Sequence, residues 1–118
     1  MTTTCCNVKV KYIRPGYQNL KEWCEDPRNV YIGRKGVVFI DGQRFPKRDS
    51  IWANPFKITA TETRESVIEQ YRVHMIARLL VEPELNNQLE ALRGKNLGCF
   101  CHPEACHGDI LLALLEKK

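Results

Sequence analysis

The segment 97–115 constrains this chain more than any other. Five thiol and imidazole side chains, Cys99, Cys101, His102, Cys106 and His107, fall within nine residues of it. Leu97–Cys101 reads as a short strand stopped by Pro103, and Ile110–Leu115 as the apolar centre of a helix. Side chains alternate along a strand, which puts Cys99 and Cys101 on one face. The turn Glu104-Ala105 then sets Cys106 and His107 at the helix start. Free N–H groups and the helix dipole there favour a thiolate or a bound anion. Asp109, in the first helical turn, suits the same dipole. A strand end feeding a helix N-terminus is where open α/β sheets bind ligands.

The rest of the chain supplies the frame. Residues 1–6 show no apolar periodicity and read as a flexible tail, with 7–118 as one domain. Val8, Val10 and Tyr12 alternate with Lys9 and Lys11, which predicts a strand broken at Arg14-Pro15-Gly16. Asn29-Val-Tyr-Ile32 is a second strand, ended by Gly33-Arg34-Lys35-Gly36. Val37–Ile40 and Gln43–Phe45 form a hairpin about Asp41-Gly42, a pair suited to a type I′ turn. Asn54-Pro55 demands extended backbone. Thr61 or Thr63 caps a helix whose apolar stripe is Val67, Ile68, Tyr71, Met75 and Leu79. Pro83 opens another, with Leu85, Leu89 and Leu92 inward and Gly94 closing it. Strands mixed with helices in this way predict an α/β fold, a small sheet covered by about three helices.

Composition narrows the function. With 118 residues, 43% of them hydrophobic, there is material for one core. The longest apolar run, Ile110–Leu115, falls far short of the roughly 20 residues a membrane span needs. Met1-Thr-Thr-Thr-Cys-Cys6 lacks the pattern of a signal peptide, so the six cysteines are expected reduced, in the cytoplasm of the cell or of a viral host. A net charge of +4 favours anionic partners but is too small to argue for specific DNA binding.

Three readings of the cysteine–histidine cluster stay open. In the catalytic one, a thiolate at Cys101 or Cys106 works with His107 or Asp109. In the zinc one, Cys99, Cys101, Cys106 and one histidine bind metal; the spacing Cys-x-Cys-x4-Cys-His is not a standard knuckle pair, so no metal or cofactor is assigned. In the third, small buried residues simply pack a tight strand–helix junction. Elsewhere, Gly33 admits a close approach of backbone to a ligand, and the fork of Arg34 suits a phosphate or carboxylate. Trp52 and Phe56 can stack a ring whose edge Asn54 reads. Arg64, at a helix start, opposes the dipole and needs an anion or an acid beside it.

Asn29-Val-Tyr-Ile-Gly-Arg34, Trp52-Ala-Asn-Pro-Phe56, Arg64 with Tyr71, and Gly94-Lys-Asn-Leu-Gly-Cys-Phe-Cys101 through Pro103 and Cys106-His-Gly-Asp109 together resemble the domain of unknown function 4326. Order and spacing match along residues 29–115. The family pattern reads Trp-Gly-Asn-Pro-Phe and Cys-Trp-Cys; Ala53 and Phe100 are conservative departures. The insert Lys35–Ser50 resembles the versions found in large DNA viruses. The resemblance marks these motifs as the site and carries no reaction with it.

Arginine and a helix N-terminus call for an anion, and aromatic rings with Asn54 call for a planar group. A nucleotide-like small molecule satisfies both. The expected function is a small nucleotide- or nucleoside-related enzyme with its pocket at residues 99–109. Its ligand residues are Gly33, Arg34, Trp52, Asn54, Phe56 and Arg64; its catalytic residues are Cys101, Cys106, His107 and Asp109. The alternatives are a non-catalytic nucleotide- or anion-binding module, such as a viral effector, and a zinc-stabilised interaction domain.

Overall fold

The structure, a computed structural model, describes residues 2–101 and 104–117. The elements in chain order are β1 (Thr4–Asn7), α1 (Val10–Ile13), α2 (Leu20–Glu25), β2 (Asn29–Tyr31), β3 (Val38–Ile40), β4 (Gln43–Phe45), α3 (Arg64–Val81), α4 (Pro83–Glu90), β5 (Asn96–Cys99) and α5 (His107–Glu116). The fold is α/β. β5 lies at the centre of a three-stranded sheet with β1 and β2 beside it, both parallel to it. Cys5 stands opposite Leu97, and Tyr31 opposite Gly98. β3 and β4 form a separate antiparallel hairpin.

Parallel strands buried on both faces need apolar cover on each side. Leu97 and Cys99, with Cys5 and Val30, face a core built from Tyr71 and Met75 of α3, Leu85 and Leu89 of α4, and Leu111 and Leu115 of α5. Cys6 and Tyr31 face the other way, onto Val8, Leu20 and Trp23. Gly98 is dictated by that second core. A side chain there would collide with the Trp23 ring and with Val8 at 2.6 Å.

Much of the local reading is realised. Asp41 and Gly42 adopt φ of 53° and 77°, as a type I′ turn requires. Thr63 caps α3, accepting from Ser66 N, and Val67, Tyr71 and Met75 form its buried stripe. Pro83 opens α4, and Gly94 takes φ of 77° after it. No helix among the described residues is long and apolar enough to cross a membrane. Pro103, expected to stop the last strand, lies outside the described residues.

Two expectations are corrected at the N-terminus. The expected tail supplies a strand: Thr4–Asn7 pairs along the whole of β5. The strand expected over 8–12 is instead a turn into α1. Val8 still donates to Cys99 O at 2.9 Å, but the Asn7 side chain then accepts from Lys9 N and turns the chain. Val8 and Ile13 are buried while Val10 and Tyr12 are exposed, so the apparent alternation has no face to serve. The short helix α2, capped by Asn19 and burying Leu20 and Trp23, was not foreseen.

Candidate functional site

Four segments converge where β2 and β5 end: the turn after β2, the loop 52–56, the start of α3 and the start of α5. Between them lies a cavity of about 430 Å³. Gly33, Arg34, Asn54, Phe56, Arg64, Cys101, Cys106 and His107 all line it. These eight predicted positions, scattered over more than 70 residues of sequence, are therefore brought to one place. Trp52 and Asp109 are not among the lining residues.

The loop 52–56 is a built wall. Asn54 spends its amide internally: Oδ1 accepts from Phe56 N at 2.9 Å, and Nδ2 donates to Val67 O of α3 at 3.2 Å. Arg34 donates from Nε and Nη2 to Asn54 O, and from Nη2 to Phe56 O. The expected roles are thus adjusted. Asn54 shapes the loop before it can read a ligand, and Arg34 is half committed to protein carbonyls. Its Nη1 has no hydrogen-bond partner among the described residues. Trp52 is corrected outright: it is 3% exposed in the core, where its carbonyl accepts from Tyr71 Oη at 2.9 Å. It cannot stack a ligand from there.

The sulfurs form a second group. Cys101 is half-buried and opens onto the cavity. The thiols of Cys106 and Cys99, able to hydrogen-bond to its sulfur, and the Arg64 guanidinium are its electrostatic neighbours. Those bonds, that of Cys106 foremost, with the charge of Arg64, hold the Cys101 pKa well below the ordinary thiol range, against the opposing effect of burial. Cys106 is more deeply buried, and its hydrogen bonding with Cys101 and Cys99, together with that burial, raises its pKa and keeps its proton on. The anion belongs on Cys101, because that is the sulfur with the cation beside it. Cys5, by contrast, is pushed up to about 12 by burial and stays a neutral thiol.

Cys106 is also the N-cap of α5. Its sulfur accepts from Gly108 N at 3.4 Å, and its own N–H is accepted by Asp109 Oδ2 at 3.0 Å. Asp109 is exposed and completes this capping box, so its carboxylate is engaged at the helix start. Gly108 lets the helix start press onto the sheet. A Cβ there would meet the Cys5 sulfur at 2.6 Å and Ile32 Cδ1 at 2.9 Å.

His107 is buried, with Nε2 at 2.7 Å from the carbonyl oxygen of Ile32. A carbonyl can only accept, so Nε2 carries the hydrogen and the neutral ring leaves Nδ1 bare. Nδ1 sits 3.6 Å from the Cys106 sulfur. Burial lowers the His107 pKa, which keeps the ring neutral. Cys106 thus stands between Cys101 and His107. Among the described residues no group of three or more His, Cys, Asp or Glu side chains is arranged to hold a metal ion; His102 lies outside them.

Tyr31, Lys57 and Phe100 also line the cavity and were not singled out from the sequence. Phe100 meets Tyr31 edge to face at 6.4 Å, on the sheet face opposite Leu97. Strand alternation could have found that pair. Nothing in the spacing of Lys57 distinguishes it from a surface lysine.

The family model Domain of unknown function (DUF4326) matches residues 16–117. A curated relative in Enterobacteria phage T4, the uncharacterized 12.4 kDa protein in nrdA-td intergenic region, is 36% identical over 70 residues. That match covers 59% of this chain and 64% of the phage protein, under two thirds of its length. An uncharacterized protein of Acanthamoeba polyphaga mimivirus is 32% identical over 96 residues, covering 75% of this chain and 67% of its own. No solved structure matches the chain.

Proposed function

The chain belongs to the family Domain of unknown function (DUF4326), and for it we propose an enzyme that takes a nucleotide-class anion into the cavity, where the Cys101 thiolate displaces a leaving group to form a thio-linked intermediate and water then displaces the thiolate, so that the net reaction is hydrolysis. One observation carries this reading. The charged residues lining the cavity, Arg34, Lys57 and Arg64, are all cationic, and the Cys101 thiol lines the same space.

The cations favour an anion through their summed field. The rings of Tyr31, Phe56 and Phe100 offer a planar group its apolar contacts. The volume falls within the roughly 300–1,000 Å³ of small-molecule sites. A thiolate is the nucleophilic form of cysteine, and Cys101 is the thiol here whose surroundings favour it. The bare Nδ1 of His107, 3.6 Å from the Cys106 sulfur, is the group here able to take up the proton of the water that releases the product.

The test is incubation with nucleosides and their mono-, di- and triphosphates, following conversion and any covalent adduct by mass spectrometry. Cys101→Ser is expected to lower conversion by at least about 100-fold while Kd changes little. Failure of the wild type to bind or convert any of these compounds would overturn the proposal. Binding without conversion, indifferent to Cys101→Ser, would make the chain a nucleotide-binding module instead.

A further inference from the structure

A second cavity, about 510 Å³, adjoins the first. The two share Arg34, Asn54 and Lys57, whereas Lys35 and Ser50 line only the second. We propose that the ligand is a two-part molecule joined through an anionic centre, a nucleoside diphosphate carrying a further organic group, as in dinucleotides and nucleotide sugars. The inference rests on the nucleotide reading above and narrows its substrate class.

The shared wall is preformed. Arg34 is fixed by its bonds to Asn54 O and Phe56 O, leaving Nη1 as the donor with no partner among the described residues. Lys57 is exposed beside it. Two cations on a boundary between two spaces are where a linking diphosphate gains most from both. On the far side, Ser50 N donates to Gly33 O at 3.0 Å and Lys35 N to Asp49 Oδ1 at 2.8 Å, so this loop too is tied in place. Asp49, the acid lining the second cavity, accepts this backbone N–H, and Lys35, an exposed cation, lines the same cavity. The two cavities have similar volumes. A mononucleotide would fill one and leave the other to water.

Calorimetric titration distinguishes the cases with five probes: ADP, ADP-ribose, NAD+, UDP and UDP-glucose. At least one conjugate is expected to bind about tenfold tighter than the bare diphosphate of the same nucleoside. Lys35→Ala, which keeps the backbone bond to Asp49, is expected to weaken that conjugate about three- to fivefold, the scale of an exposed ion pair. It should leave the bare diphosphate within about twofold. The inference is overturned if the bare diphosphates bind as tightly as their conjugates, or if Lys35→Ala weakens both alike. If none of the five binds, the nucleotide reading itself falls, and the two failures are told apart.

Discussion

Arg64, the first residue of α3, donates from Nη1 to the carbonyl of Ala105 at 3.1 Å, and its charge helps to lower the pKa of Cys101, which lines the same cavity. Nη2 pairs with the Glu104 carboxylate at 3.0 Å. These contacts supply the acid that an arginine at a helix N-terminus needs. They also make Arg64 the charge that favours the Cys101 thiolate. Arg64→Gln should therefore raise the Cys101 pKa and slow its alkylation by iodoacetamide at pH 6.5 by about tenfold, the effect of removing an opposite charge at this range. Peptide mapping after timed labelling measures it. Equal rates in wild type and variant would show that Arg64 acts only on the turn.

The bond between His107 and Ile32 O carries a pH dependence. Burial lowers the folded-state pKa of His107 below its ordinary value of 6.5. The sign follows: above pH 6.5 the ring is neutral in both states and the full stability is present. As pH falls below 6.5 the unfolded chain takes up the proton first, and stability is lost through the folded pKa. His107→Gln, which keeps a side-chain N–H for the Ile32 carbonyl, should flatten the fall in Tm between pH 6.5 and 5. Parallel Tm curves for the two proteins across that window would count against a buried, neutral His107.

The sequence carried the site further than it carried the fold around it. Thr63, Pro83, Gly94 and the Asp41-Gly42 turn announce themselves because each solves a local backbone problem. Gly33, Arg34, Asn54 and Phe56 were legible as motifs, but their bonding was not. Arg34 donates to a loop 20 residues away, and no local pattern encodes such a contact. Trp52 and Asp109 misled for opposite reasons. An aromatic residue in a loop suggests a stacking platform and here fills the core, and an acid beside a histidine suggests chemistry and here also caps a helix.

Asp109 gives a direct check on that last point. It is exposed, and its carboxylate accepts from Cys106 N at the start of α5. Asp109→Asn should cost about 0.5–1 kcal/mol of stability, the range for a cap and a favourable dipole contact. Conversion of a bound nucleotide should stay within about threefold of wild type, since the group does not line the cavity. A variant as stable as wild type that has lost turnover would return Asp109 to the chemistry.

The N-terminal strand yields the sharpest test of the fold, because its sequence gave no sign of it. Thr4–Asn7 pairs with Asn96–Cys99, and Thr3 adds a bond from Gly94 N at 2.9 Å. Deleting residues 1–7 strips one edge from the central strand and leaves its groups to water. At about 1 kcal/mol net per hydrogen bond, the loss should reach roughly 3 kcal/mol or more, or a drop in Tm of about 10 °C or more for a chain of this size. The damage should not stop at stability. The Cys5 sulfur underlies Gly108, at the helix start that presents Cys106 and His107 to the cavity. Nucleotide affinity should therefore fall with the deletion, even at a temperature where the shortened chain remains folded. A truncated protein that melts within about 2 °C of the full chain and binds as well would place Thr4–Asn7 outside the fold.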